Sequence, residues 1–384
     1  MKDSFPRGKT AIVSAATYGI GSAPNLSSVD LAASAAVKAL SQVGLKPSDV
    51  DGLFVCLPDE FLSGLLLTEY LGLRPRFTDN NRTGGSSFQI HAITAALALM
   101  SGQCDVALIC YGSNQRSATG KLVSAARRPF HEEDYKPITP ISAYALAAQR
   151  YMHEFGAKKE HLGEVALAAR KWAQLNPEAF ARDDLSMQGY LDARMVSDPL
   201  SVRDCCLVTD GAAAVVMTRA DKARDLAVRP VYLLGGASAA YHLDITSMPT
   251  LTTTAAAESG PRAFAQAGVS PPDIDVVEVY DAFTINTLLF LEDLGFCKKG
   301  EAGAFVQGGR IAPGGALPVN TNGGGLSCVH PGMYGLFTMV EAVHQLMGLC
   351  GERQVSDVNL ALSHGNGGKL SSQATLIFGS ELTL

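Results

Sequence analysis

A chain of 384 residues that is 47% hydrophobic and 18% charged can bury a large core, which excludes a disordered or fibrous protein and suits two domains or one unit built twice. A formal net charge of -6, with no run of Lys or Arg, leaves no electrostatic footprint for nucleic acid. No apolar stretch reaches membrane-spanning length, the opening MKDSFPRGK lacks the apolar core of a signal peptide, and the eight cysteines show no CxxC pair or metal-like spacing, so the expectation is a cytoplasmic protein without a membrane span, disulfide or structural metal.

Taken in order, Thr10 to Ala16 is a short apolar run rich in small and β-branched residues, followed by a helical pattern from Ser28 to Val43 that stops at Gly44. A Lys46-Pro47-Ser48-Asp49 turn then leads into a buried strand over Val50 to Leu57, completing a β-α-β unit. Much the same text returns later. Ala39 to Val55 aligns with Ala263 to Val279, and the pairs Gln42/Gln266, Gly44/Gly268, Pro47/Pro271, Asp49/Asp273 and Asp51/Asp275 are identical. A weaker echo pairs Asn80 to Gly85 with Asn320 to Gly325, each followed by a helical pattern. A helix stop, a proline turn and two aspartates in one register point to a duplicated α/β unit. Its two halves should form two mixed sheets with helices between and outside them, bringing strand-end loops from both halves to one site.

Residues 113–203 differ in composition, with helical patterns over Ile141 to Phe155 and His161 to Asn176 but no convincing strand. They read as an insertion over the site, whose Arg116, Lys121, Arg127 and Arg128 are either a cationic rim for a phosphate-bearing ligand or a solvated surface. The domain expectation is therefore an N-terminal half (1–112 and 204–228), an inserted loop domain (113–203) and a C-terminal half (229–384).

The stretch Val319 to Gly335, VNTNGGGLSCVHPGMYG, puts three glycines shortly before His330 and breaks the backbone again at Pro331 and Gly332. Such a tight loop can bring backbone N–H groups and one imidazole to a reacting atom. Cys328 beside it is either a small buried residue or a nucleophile, and Asp281 either an orienter for a histidine or a turn residue. His91 and His344 fall inside helical patterns and read as structural.

Three segments carry a family resemblance. The His330 loop resembles the Gly-His-Pro loop of the thiolase superfamily, Asp198 to Val216 (DPLSVRDCCLVTDGAAAVV) resembles its DGAAA segment, and Asp273 to Thr284 (DIDVVEVYDAFT) its Asn-Glu-Ala-Phe or His-Asp-Cys-Phe segment. The likeness covers nearly the whole chain and is closest to the sterol-carrier-protein-x, or lipid-transfer, branch. It implies a thiolase fold of duplicated halves in a five-layer αβαβα arrangement with an inserted, mainly helical loop domain. It also implies a homodimer and a coenzyme A thioester as substrate, with no metal.

The departures from the family pattern bear on chemistry. Where a thiolase carries its nucleophilic cysteine this chain has Gly85, followed by Ser86; its second cysteine falls on His364; Tyr280 replaces the Asn or His of the third motif, and Ala282 its Cys. Gly85, Asn366 and Gly367 remain able to present N–H groups to a thioester oxygen, and Tyr280, His330 and His364 are the proton-transfer groups the resemblance places there. Three functions are compatible: carbon–carbon cleavage or formation of the aldolase type on an acyl-CoA, in a branch that works with a small OB-fold, zinc-ribbon partner; acetyl-CoA acetyltransferase-like acyl transfer through Cys328 or Ser86; and non-catalytic acyl-CoA or lipid carriage.

Overall fold

The computed structural model describes residues 5–118, 130–226 and 229–384. The first half runs β1 (Thr10–Gly21), α1 (Ser28–Ser41), β2 (Gly52–Val55), α2 (Ser63–Leu71), β3 (Phe77–Asp79), α3 (Ser87–Met100) and β4 (Val106–Ser113). The intervening segment holds α4 (Gln115–Ala118), α5 (Ile141–Phe155), α6 (Lys159–Gln174), α7 (Met187–Leu191) and a hairpin of β5 (Met195–Ser197) with β6 (Leu200–Ser201). Then follow β7 (Asp210–Arg219), α8 (Ala220–Ala223), β8 (Val231–Ala240), α9 (Ala256–Ala267), β9 (Val276–Val279), α10 (Thr284–Asp293), α11 (Ala302–Phe305), α12 (Gly335–Met347), β10 (Leu360–Gly367) and β11 (Ser372–Gly379). The hairpin, whose longer strand is three residues, is too short for the alternation that reveals a strand in sequence.

Among the described residues, nine strands form one mixed sheet in the order β3-β2-β4-β7-β1-β8-β11-β10-β9, which reads as two similar arrays back to back. They meet where β1 and β8 pair at Ala11–Tyr232 and Ile12–Val231, so the two expected sheets are joined edge to edge. Helix α1 covers β1, β4 and β7 on one outside, α9 covers β8 and β11 on the other, and α3 and α12 lie between, packed on strands of both arrays. The result is an αβαβα layering.

The repeated residues do repeated work. Gly44 and Gly268 end their helices with φ of 70° and 69°, where a residue with a Cβ is strained. The Asp49 and Asp273 carboxylates each accept the amide three residues earlier, at 2.8 Å. Asp51 accepts the amides of Asp105 and Val106, and Asp275 those of Asn359 and Leu360, each tying the entry to β2 or β9 to the chain entering the neighbouring strand.

The intervening segment is anchored at Asp204. Its buried carboxylate receives Lys159, Tyr190, the backbone and side chain of Ser201, and Thr284 at the start of α10. This knot ties the start of α6, α7 and β6 to the start of α10, close to the end of β9 from which the candidate site projects.

Candidate active site

Strand β9 ends by handing Tyr280 to the interior. Its N–H donates to His364 O on β10 at 3.1 Å, and the preceding Val279 N–H donates to Asn320 Oδ1 at 2.8 Å. The phenol oxygen then lies 3.1 Å from His330 Nε2 and accepts the Tyr334 N–H, also at 3.1 Å. Both rings are buried. Burial pushes the Tyr280 phenol well above its usual range, against the pull of the Tyr334 amide, and pushes His330 down to about 4. Near neutral pH the pair is therefore a phenol against a neutral imidazole. The tautomer decides direction: Nε2 accepts the phenol proton when Nδ1 carries the ring proton, and donates to the phenol oxygen otherwise.

The loop presenting His330 is held at several points. Asp281 accepts the N–H groups of Gly325 at 2.6 Å and Leu326 at 3.3 Å within a single π turn, Gly324–Cys328. Burial raises the Asp281 carboxyl to about 7 even though those amides lower it. Asn322 Oδ1 takes the Gly324 N–H at 2.7 Å and the Tyr334 hydroxyl at 2.9 Å. Thr209, just before β7, receives the His330 N–H on its hydroxyl at 3.0 Å. Tyr111, on β4, donates its hydroxyl to Pro331 O at 2.5 Å and accepts the Met333 N–H at 3.2 Å.

Gly85 lies against the Tyr280 ring: a Cβ there would stand 1.9 Å from Tyr280 Cε2. The start of α3 also meets the turn after β10 backbone to backbone, since a Cβ on Gly84 would fall 2.9 Å from Gly367 Cα. The Asn366 side chain receives Gln373 Nε2 at 2.8 Å and donates to Tyr144 Oη at 3.0 Å, so a tyrosine of α5 walls this side.

Other expected residues are placed differently. His364 does not join the Tyr280–His330 pair, because its ring nitrogens lie 2.9 Å from Thr375 Oγ1 and 3.0 Å from Gln373 Oε1. Burial pushes it to about 3, so it is a neutral imidazole near neutral pH, and with both nitrogens engaged by these side chains it is turned away from the reacting pair. Ser86 shares its hydroxyl with Ser372 and Thr83, each at 2.9 Å, and among the described residues no general base hydrogen-bonds to it. Cys328 is buried with Asn176 Nδ2 3.5 Å from its sulfur, and burial raises its thiol well above the usual range. Neither residue is built as a nucleophile. Arg116 donates to Val208 O at 3.1 Å and its guanidinium sits 4.7 Å above the Phe180 ring. Lys121, Arg127 and Arg128 lie outside the described residues. Tyr334, Asn322 and Tyr111 were not singled out from sequence; for Tyr334, its place as the aromatic of the Gly-Met-Tyr-Gly turn after His330-Pro331 was the available signal.

Duplicated halves meeting at a buried phenol–imidazole pair beside a bare glycine define a thiolase-type architecture with altered site chemistry. The chain belongs to the thiolase superfamily, in the branch that includes proteins named sterol carrier protein 2. The family described as "Thiolase C-terminal domain-like" matches residues 237–380. An "Acetyl-CoA acetyltransferase" of Methanothermobacter thermautotrophicus is 30% identical, over 96% of this chain and 98% of that protein. A "17-hydroxy-3-oxo-4-pregnene-20-carboxyl-CoA lyase" of Mycobacterium tuberculosis is 33% identical, over 89% of this chain and 92% of that one. Among solved structures, one titled "Ltp2-ChsH2(DUF35) aldolase" superposes with a TM-score of 0.88 at 30% identity, covering 98% of both chains. No helix among the described residues is long and apolar enough to cross a membrane, and no group of three or more His, Cys, Asp or Glu among them is arranged to hold a metal ion.

Proposed function

We propose that this protein cleaves or forms a carbon–carbon bond in a coenzyme A thioester, in the manner of an aldolase, with Tyr280 and His330 as the acid–base pair. The observation that carries this is their 3.1 Å contact in a buried site, beside a position that holds glycine and no nucleophile. Cleavage of a β-hydroxyacyl thioester needs a base for the β-hydroxyl, a place for enolate charge, and an acid for Cα. The Tyr280 oxygen takes the hydroxyl proton as its own proton passes to His330 Nε2. The Cα–Cβ bond breaks, leaving a carbonyl compound and an enolate whose oxygen is held by amides at the start of α3 and at the Asn366–Gly367 end of β10. Return of the proton through Tyr280 to Cα yields the shorter acyl-CoA. The neutral resting forms suit this exchange, because a phenol and an uncharged imidazole can each give or take a proton without a standing buried charge.

The similarity to relatives named lyase and aldolase supports this reading, whereas acyl transfer, the activity in other relatives' names, lacks an activated thiol here. A homodimer is supported by the open edge strand β3 and by Phe61, Leu62 and Leu65, exposed at or beside α2. A small partner of the OB-fold, zinc-ribbon type is supported by likeness to a structure titled as an aldolase with a second named component, ChsH2(DUF35). The test is a β-hydroxyacyl-CoA panel, with and without such a partner, watched for paired release of a carbonyl compound and a shorter acyl-CoA. Acyl-CoA binding without cleavage under either condition would favour a carrier.

A further inference from the structure

Gly85 is not required by its own backbone, since it is absent from the positive-φ glycines. Space is the reason for it. The Tyr280 ring is hemmed in by His330 at 5.5 Å between centroids and by Tyr334 at 5.7 Å, and its hydroxyl is pinned by His330 Nε2 and the Tyr334 N–H. A Cβ on residue 85 would lie 1.9 Å from Tyr280 Cε2 and 2.7 Å from Cζ, far inside any van der Waals contact. The ring cannot move away from residue 85 without shifting its oxygen relative to His330 and the Tyr334 N–H, which hold it.

We propose that positions 85 and 280 are mutually exclusive: bare backbone at 85 is the receptacle for the Tyr280 ring, and any side chain there expels the phenol from His330. Gly85 is thus a positioning residue that selects phenol-based proton transfer over chemistry from a group carried at 85. A side chain at 85 therefore requires that the Tyr280 ring be lost or displaced. The inference rests on the proposed function for its catalytic consequence but not for its structural one.

A double-mutant cycle on the full-length protein separates these. Gly85→Ala lowers kcat for carbon–carbon cleavage about a hundredfold or more, with KM little changed, because the acid–base pair is displaced while the thioester cradle stays. In melting experiments Gly85→Ala is strongly destabilising in the wild-type background and much less so beside Tyr280→Ala, where the new methyl enters vacated space. Asn366 O, 2.7 Å from the same Cβ, is present in every variant and cancels from the comparison. Should Gly85→Ala alone fail to fold, recovery of folded protein by adding Tyr280→Ala reports the same coupling. In a second pair, iodoacetamide labels the introduced thiol more readily in Gly85→Cys/Tyr280→Ala than in Gly85→Cys. Equal destabilisation by Gly85→Ala in both backgrounds, or wild-type kcat in Gly85→Ala, overturns the proposal. Unchanged kcat in Tyr280→Phe, with the stability coupling intact, overturns the proposed function and leaves the exclusion standing.

Discussion

Removing one hydroxyl outside the reacting pair tests whether the His330 loop must be held rigid. Tyr111→Phe keeps the ring and its edge contact with Phe88, at 5.2 Å between centroids, and deletes only the oxygen bridging Pro331 O and the Met333 N–H. Those two groups are then left buried without that partner. An unmade hydrogen bond in the interior costs roughly 1–3 kcal/mol per group, so the variant should lose about 2–4 kcal/mol, allowing for partial relaxation. The midpoint should fall by a few degrees, since about 1 kcal/mol corresponds to about 2–4 °C in chains of about 150–250 residues and to less in a longer one. The bridge spans the segment between His330 and Tyr334, so slack in it loosens both contacts to the Tyr280 oxygen. Misplacement of reacting groups by about 1 Å costs on the order of a hundredfold in rate, and kcat should drop by tenfold to a hundredfold with KM little altered. Melting curves and steady-state cleavage on the same preparations decide it. A destabilised variant with wild-type kcat would show that Tyr111 braces the fold but not the chemistry, and an unchanged midpoint would refute the accounting altogether.

Further expectations follow from burial. His91, pushed to about 4, binds its proton more weakly folded than unfolded, where about 6.5 applies; its contribution is therefore present above pH 6.5 and lost as pH falls toward 4. Relative to wild type, His91→Leu should gain about 1.4 kcal/mol per pH unit across that window, and parallel stability curves would contradict this. Asp281 has the opposite sign: raised to about 7, it stabilises most at low pH and loses that contribution as pH rises through 7, so Asp281→Asn should remove this loss in pH-resolved melting. Iodoacetamide labelling with peptide mass analysis should find no hyper-reactive thiol among the eight native cysteines, because burial raises the thiols of Cys56, Cys206 and Cys328 alike; a fast-labelling Cys328 that blocks turnover would revive acyl transfer. Coenzyme A or an acyl-CoA should raise the melting midpoint by binding the native state only, and no shift at millimolar ligand, with and without a partner, would count against thioester recognition.

The duplication was legible because its signals are local. A helix-ending glycine, a proline turn and an aspartate reaching back three residues act over a few positions, so Gly44/Gly268 and Asp49/Asp273 mark the same structure twice without knowledge of the fold. The His330 loop was legible for the same reason. Contacts made by the fold were not. The role of Gly85 depends on Tyr280, which is remote in sequence and arrives on β9. His364 read as a proton-transfer group until the β10–β11 register placed Thr375 opposite it and Gln373 nearby to take both nitrogens. Tyr111 stands in an apolar strand and looks like core until its hydroxyl is followed to Pro331.

The central claim is that the Tyr280 phenol moves the proton. Tyr280→Phe removes one oxygen, leaves the ring in its space beside Gly85, and leaves the backbone amides that would hold the thioester untouched. Measured on a β-hydroxyacyl-CoA cleaved by the wild type, it should lower kcat by about a hundredfold to ten-thousandfold with acyl-CoA affinity nearly intact. A Tyr280→Phe protein that cleaves the same thioester at the wild-type rate would contradict the account.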